Sequence, residues 1–345
     1  MKVLCLTDFP IQPPDRWIWN HLDGVKDQTD FLWAETGDRS GRLGKLVSRY
    51  PPFWRLALRA LRQTTTHDYY DLIIAWESKT GIPLALLRRL SGQTRTPFVI
   101  LTFTPGEVAR AFFPLISYAL GAVDHVTVLT DAEIEAYHRL FGLSRSKISL
   151  CLLGTYDLYP AGPPAAQGSA ASPYVHASGR SARDYSTLVK AAQGLPAGVV
   201  IHGRGYNFTN LTLPSNVVIG ELAPRDKYHR LVRDAAVEVV PLHDTPAPVG
   251  SSQIVFAMMM GKAIVATRTG STVDYIEHGV TGLLVKPGDA DGMRAAIQRL
   301  LEHSEEAATM GQAARRRFED YHTFDAFAHR AHEIMVQLVQ GSSGA

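Results

Sequence analysis

Hydrophobic positions along the chain alternate between two patterns. Short runs rich in Val, Ile, Leu and Thr (VLCLTDF, DFLWAE, DLIIAWE, PFVILTF, HVTVLT and KISLCLLG) occupy the first 154 residues, with TGIPLALLRRL and DAEIEAYHRLFG at helical period between them. Continuously apolar strands separated by helices predict a parallel sheet covered on both faces. The stretch AGPPAAQGSAASP, from Ala161 to Pro173, has neither charge nor periodicity and reads as a linker. The alternation then resumes, with YVHAS, GVVIHG, NVVIG, VEVVPL, AIVAT and GLLVK as strands. DYSTLVKAAQ, DKYHRLVRDA, SQIVFAMMM and STVDYIEHG are the helices among them.

The expected class is α/β, two Rossmann-like doubly wound domains facing across a cleft, where the carboxyl ends of both sheets meet. The expected division is 1–158 for the first domain, 159–173 for the linker and 174–320 for the second domain. From Asp289 the chain reads as helical throughout. The helix at 321–340 has more length than the second core needs and is expected to pack back on the first domain, with GSSGA fraying beyond it.

Composition narrows the classes. With 345 residues, 46% hydrophobic and 20% charged, the chain can fill two cores. A formal charge of +2 gives no reason to invoke nucleic acid, so any basic surface is local. Cys5 and Cys151 both lie in apolar strand-like runs, which suits a buried, reduced pair and a cytoplasmic compartment. AFFPLISYALGAV, from Ala111, is too short to span a bilayer, and MKVLCLTDFP has no long apolar leader segment.

Candidate chemistry concentrates in the second half. Gly250, Ser251, Ser252 and Gln253 open the helix SQIVFAMMM after a strand and a loop. Small residues there admit a ligand to the backbone, and the free amides with the helix dipole favour a phosphate, although a plain Ser-capped helix has the same sequence. The apolar run Ile254 to Met260 reads as a buried helix with methionines as core filler. In HASGRSARDYSTLVKA, Arg180 and Arg183 follow Gly179 in a strand-to-helix loop, and their planar forks suit a diphosphate; solvated loop arginines are the plain alternative. Gly203, Arg204 and Gly205 follow the next strand, where a tight turn explains the spacing as well as a ligand does.

Four segments taken together, SGRSARDYSTLVKA, VVIHGRG, NVVIGELAPRDKYHRLVRDAAVEVVPL and AMMMGKAIVATRTGSTVDYIEHGVTGLLVKPGDADGMRAAIQRLL, resemble the nucleotide-sugar-binding domain of GT-B glycosyltransferases of the retaining family 4, or group 1. The resemblance implies that Arg180 grips the donor diphosphate and that Arg183 takes the place of an absent lysine partner. It implies that the amides of Gly250 to Ser252 meet the phosphates and that Val217 to Glu221 lie near the base. The family's two glutamates, eight positions apart, fall here on Pro248 and Phe256, so the Glu-x7-Glu motif is degenerate. GSSQ resembles a Ser/Gly/Gln-type loop that replaces the first glutamate in a subset of members. TDFPIQPPDRW and LTFTPGE stand where an N-terminal glycine pair and an acceptor-side histidine are usual.

In the first half, resemblance extends only to architecture. Asp8, Glu77, Thr102 and Thr104 fall at strand carboxyl ends and are the acceptor-side candidates, while Asp131 is an ordinary N-cap position. From Arg39 to Arg62 there are seven basic residues and no acidic one. A helical wheel from Phe53 sets Arg55, Arg59 and Arg62 on one face and Phe53, Trp54, Leu58 and Leu61 on the other. That suits an interfacial helix beside anionic lipid, and equally a helix packed on a sheet. GDADG, from Gly288, reads as a cap and not a metal site, which agrees with the metal independence general among GT-B enzymes.

The expected function is transfer of a sugar from a nucleoside diphosphate sugar, without a further cofactor, to a saccharide or lipid-linked acceptor in envelope polysaccharide or glycolipid synthesis. The expected place is the cytoplasm, with peripheral contact at the inner face of the membrane. A non-catalytic GT-B binding or regulatory protein and a sugar-nucleotide epimerase on the same fold are the alternatives.

Overall fold

The structure, a computed structural model, describes residues 1–11, 17–22, 28–35, 51–66, 70–105, 112–165, 173–209, 211–245 and 247–342. Several expectations fall in part outside them: residues 39–50 of the basic stretch, 12–16 and 106–107 of the two N-terminal loops, 166–172 of the linker and 343–345 of the tail. The chain divides into two compact units, Met1–Cys151 with Phe327–Ala345, and Leu152–Ala326. The break between Cys151 and Leu152 lies earlier than the boundary expected at 158. Residues 152–159 belong to the second unit because Arg315 there donates to Asp157 Oδ2 at 2.6 Å and to the Tyr159 carbonyl at 3.1 Å.

The first unit holds strands β1 (Lys2–Thr7), β2 (Gln28–Trp33), β3 (Leu72–Ala75), β4 (Phe98–Ile100), β5 (His125–Val128) and β6 (Ile148–Leu150). All neighbours are parallel, in the order β2-β1-β3-β4-β5-β6. Parallel pairing requires crossovers. Helices α1 (Pro51–Thr66), α2 (Ser78–Ser91), α3 (Phe113–Leu120) and α4 (Asp131–Phe141) supply them, each packed on the next. Leu4, Leu6, Ile73 and Ile100 meet Phe53, Leu84 and Ile116 from these helices in one core. Cys5 and Cys151 are both buried and free.

Two local readings are corrected here. The N-cap of α4 is Thr130 and not Asp131: Thr130 N–H donates to Glu133 Oε2 at 3.0 Å in a capping box. In α1, Phe53, Leu56, Ala57 and Ala60 face the core, and Trp54 and Leu58 stand outside with Arg55, Arg59 and Arg62. The apolar stripe is therefore split between core and solvent instead of forming one face.

The second unit repeats the plan with β7 (Tyr174–Ser178), β8 (Gly198–Gly203), β9 (Val217–Glu221), β10 (Val237–Val240), β11 (Ile264–Thr267) and β12 (Leu283–Val285), ordered β12-β11-β10-β7-β8-β9 and parallel throughout. Its helices are α5 (Tyr185–Ala192), α6 (Arg225–Asp234), α7 (Ser251–Met259), α8 (Ala290–Glu302) and α9 (Ser304–Tyr321). Helix α10 (Phe324–Ser342) follows, and from Phe327 it belongs to the first unit. Val175, Ala177, Val199 and Val239 pack with Leu188 of α5 and Ile297 of α8. Val240, Ile264 and Ala266 pack with Ile254, Val255 and Met258 of α7 and Phe318 of α9.

The segment STVDYIEHG is not a helix. It forms turns in which the Thr272 hydroxyl bonds the Thr267 carbonyl at 2.7 Å and accepts from the Thr269 N–H at 3.0 Å. Threonine hydroxyls there compete for the donors and acceptors a helix would use.

Candidate functional site

The candidate site in the second unit starts from the loop after β7. Gly179 has φ +122°, and a Cβ built on it would stand 2.4 Å from Arg183 Nη2, so only glycine fits. Ala182, two positions after Arg180, is also in the left-handed region at φ 50°, uncommon for a residue with a side chain. The conformation is held from the segment after β10: Asp184 N–H bonds the Pro241 carbonyl at 3.1 Å and His243 N–H the Ala182 carbonyl at 2.9 Å. Asp184 then caps α5 by accepting from Thr187 N–H at 3.1 Å.

The same segment leads to the start of α7. The N-cap is Gly250 at φ +87°, with no side-chain cap, so the plain Ser-capped helix, the alternative reading of this stretch, does not form. Its N–H partners in the first turn are Gln253 and Ile254, both bonded to the Gly250 carbonyl at 3.0 Å. Helix geometry leaves the amides of Ser251 and Ser252 without an intrahelical acceptor, at the positive end of the helix dipole. Ser251 is buried and Ser252 exposed. A cavity of about 290 Å³ is lined by Gly179, Arg180, Ser181, Arg183, Pro248, Val249 and Gly250 to Gln253. Two loops far apart in sequence thus enclose one volume with a guanidinium on one side and a helix N-terminus on the other.

The two arginines differ within it. Arg180 is exposed at the cavity. Arg183 donates from Nε to the Ser178 carbonyl at 2.9 Å, from Nη1 to the Ser181 carbonyl at 3.0 Å and from Nη2 to Gln253 Oε1 at 3.1 Å. Burial lowers its pKa from the usual guanidinium value, opposed by Tyr185, Tyr228 and Glu238 nearby. Its fork is largely committed to shaping the loop.

Beneath the cavity lies a polar layer that the sequence did not announce. Gln253 Nε2 donates to Glu238 Oε1 at 2.7 Å, and Glu238 Oε2 stands 2.8 Å from His176 Nδ1. Glu238 and His176 are fully buried. His202, 5.6 Å from His176 between ring centroids, has its pKa pushed down to about 4, by burial first and then by His176 and Lys227. The one available signal was a carboxylate inside the otherwise apolar strand VEVV. A buried carboxylate needs partners, and these now appear as Gln253 and His176.

Phe256, one turn after Gln253, packs its ring 4.9 Å from Tyr228 and 4.7 Å from His229. Gly203 ends β8, Arg204 is exposed, Gly205 opens a short 3-10 turn and Glu221 is exposed at the end of β9. None of these four lines the cavity.

In the first unit, Glu77 N-caps α2, receives Lys79 Nζ at 2.9 Å and has its pKa raised by burial and the Asp8 charge against the pull of Lys79. Thr102 Oγ1 donates to the Trp76 carbonyl at 2.6 Å, and Thr104 N–H bonds the Thr102 carbonyl at 2.9 Å. Trp17, Trp76 and Phe9 form an edge-to-face cluster beside Glu77, with Trp17 and Trp76 centroids 4.6 Å apart. Asp289 caps α8 through Gly292 N–H at 2.8 Å. Among the described residues no group of three His, Cys, Asp or Glu is placed to hold a metal ion, and no helix is long and apolar enough to cross a membrane.

Comparison with known proteins bears on the second unit. Residues 179–303 match the family model for glycosyl transferases group 1. Over 144 residues, 39% of this chain and 37% of the relative, the sequence is 32% identical to the D-rhamnosyltransferase WbpZ of Pseudomonas aeruginosa. The alignment therefore spans under two fifths of that curated relative's length. The fold as a whole is similar to sucrose-phosphate synthase from Thermosynechococcus elongatus, with TM-score 0.72 at 20% identity over 99% of this chain and 100% of that one. It is also similar to Anabaena HepE in complex with UDP, with TM-score 0.67 at 16% identity over 98% and 100%.

Proposed function

We propose, from the premise that residues 179–303 form a group 1 glycosyltransferase domain in a chain of two-domain GT-B fold, that the protein transfers a sugar from a nucleoside diphosphate sugar to a saccharide or lipid-linked acceptor. The cavity that joins Arg180 to the amides of Ser251 and Ser252 is the observation that carries this reading. As the glycosidic bond breaks, negative charge grows on the diphosphate. A guanidinium and oriented helix amides stabilise that charge without reorganising. Arg183 holds the loop in place from behind. UDP in complex with HepE, a protein of similar fold, supports a nucleotide as the ligand class.

Retention of anomeric configuration and activity without added metal follow from the family resemblance and complete the proposal. Asp8, Glu77, Thr102 and Thr104 are the acceptor-side groups of the first unit, with Glu77 the leading one beside Trp76. Gly203, Arg204, Gly205 and Glu221, away from the phosphate cavity, are assigned to the sugar or base. We place the reaction in the cytoplasm, at the inner face of a membrane when the acceptor is lipid-linked.

The test is a thermal-shift series with uridine, guanosine and adenosine diphosphates and their sugars, since a ligand that binds only the folded state raises the melting temperature. One base is expected to stabilise the protein. No shift with any of them overturns the donor site. That outcome would leave a non-catalytic GT-B module, the reading favoured by Pro248 and Phe256 at the two glutamate positions.

A further inference from the structure

Helices α1, α2 and α3 lie side by side on one face of the first sheet. Their outer surface combines charge and apolar area in an unusual way. In α1, Trp54 is 39% and Leu58 43% exposed, among Arg55, Arg59 and Arg62. Near the end of α2, Leu90 is 67% exposed next to Arg89, whose guanidinium lies 5.4 Å over the Tyr118 ring of α3. Phe112, Leu115 and Tyr118 are 55%, 48% and 46% exposed.

Across the three helices stand five arginines and one lysine and no acidic residue, in a chain with 35 basic and 33 acidic residues. Of these, Arg88 is turned inward, and Lys79 sits at the far end of α2 with Glu77. Among the described residues a carboxylate meets this surface at Glu35, 3.5 Å from Arg59 with both side chains well exposed. An exposed pair of that kind leaves the arginine available at little cost.

Scattered exposed leucines are ordinary, but six large apolar side chains on one cationic layer are not. Guanidinium groups, an indole and a phenol on one helical layer match the headgroup region of a bilayer, where aromatic rings sit at the interface and cations meet phosphates. We infer that this face docks the protein on an anionic phospholipid surface, with Arg55, Arg59 and Arg89 at the phosphates and Trp54, Leu58 and Leu115 entering the headgroup boundary. The inference uses three helices and not the donor cavity, so its failure leaves sugar transfer standing, and the reverse.

Sedimentation of the full chain with vesicles tests it, using phosphatidylcholine alone and phosphatidylcholine mixed with phosphatidylglycerol. The protein is expected to bind the anionic vesicles at least about tenfold more tightly. Arg55→Glu with Arg59→Glu abolishes that binding, and Trp54→Ser with Leu58→Ser makes it fully reversible by moderate salt, with melting temperatures and nucleotide binding unchanged. Equal partition onto both vesicle types, or unchanged binding by the arginine variant, overturns the inference. So does self-association without lipid that the same substitutions abolish, since the face would then cover a second copy.

Discussion

Arg183 Nη2 donates to Gln253 Oε1 at 3.1 Å, and through that amide the arginine loop is tied to Glu238 in the core. Arg180 and Arg183, paired by sequence, therefore divide the work. Lysine lacks the planar fork that spans the Ser178 and Ser181 carbonyls and Gln253. Arg183→Lys is expected to lower stability by about 2–4 kcal/mol, two or three bonds being lost. Arg180→Ala, on an exposed side chain, should leave stability within about 0.5 kcal/mol and weaken the matching nucleoside diphosphate at least about tenfold. Denaturant melts and calorimetry on both variants check this. Equal effects on stability would mean that both arginines are structural.

Gly179 and Gly205 are separated in the same way. A methyl on Gly179 meets Arg183 Nη2 at 2.4 Å and Nε at 2.5 Å, on a backbone at φ +122°, whereas Gly205 has nothing within 4 Å. Gly179→Ala is expected to cost about 2 kcal/mol or more, combining backbone strain with displacement of the guanidinium. Gly205→Ala should change stability by less than about 0.5 kcal/mol. Comparison of their urea midpoints decides it.

These contrasts show where sequence runs out. Strands were legible because a parallel sheet buried on both faces writes itself as unbroken Val, Ile and Leu. Helix α7 was legible because it is apolar on all sides. The outward position of Trp54 and Leu58 was not, since a wheel sorts residues by angle and only the packed sheet decides which arc is buried. The turns at 271–275 defeated a helical period because the Thr269 hydroxyl accepts from the Ser271 N–H and the Thr272 hydroxyl bonds the Thr269 N–H and carbonyl. Seven of the donor candidates line one cavity because residues near 180 and 250 converge at the ends of β7 and β10. That Arg183 serves Gln253, 70 positions away, is a relation between distant loops that no local pattern encodes.

A pH dependence follows from Glu133 in the first unit. Burial pushes its pKa up to about 7, opposed by donors from Leu129, Thr130 and Tyr137, the last at 2.5 Å. Between the ordinary carboxylate value and 7 the folded state holds the proton and the unfolded state does not. Stability from this group is thus fully present below about pH 4.5 and lost as pH rises through 7, by at most about 3 kcal/mol. Glu133→Gln keeps an acceptor for the Leu129 and Thr130 amides and turns an amide N–H towards the Tyr137 oxygen, reversing that bond, and should flatten that part of the curve. All five tryptophans lie in residues 17–76, so their fluorescence reports unfolding of this unit. An unchanged slope in the variant would show that the carboxyl does not titrate there.

Phe256 gives the sharpest test of how far the site departs from its relatives. The ring packs against Tyr228 and His229 at 4.9 and 4.7 Å, on a helix whose buried side carries Gln253, bonded to Glu238 of β10. Phe256→Glu restores the acidic residue of the family pattern but removes two ring contacts and brings a charge to a half-buried position. Expected is a loss of about 1–3 kcal/mol at neutral pH, recovered in part at low pH as the new carboxyl is protonated, with no gain in nucleotide affinity. The physical reason is geometric. Tyr228 and His229 come from α6, and a side chain held against them is committed to packing α7 on that helix and not to a ribose. Melts across pH, paired with calorimetry, separate the two effects. Tighter nucleotide binding by the glutamate variant would show that position 256 still faces the donor, and that this chain gave up affinity there in exchange for packing.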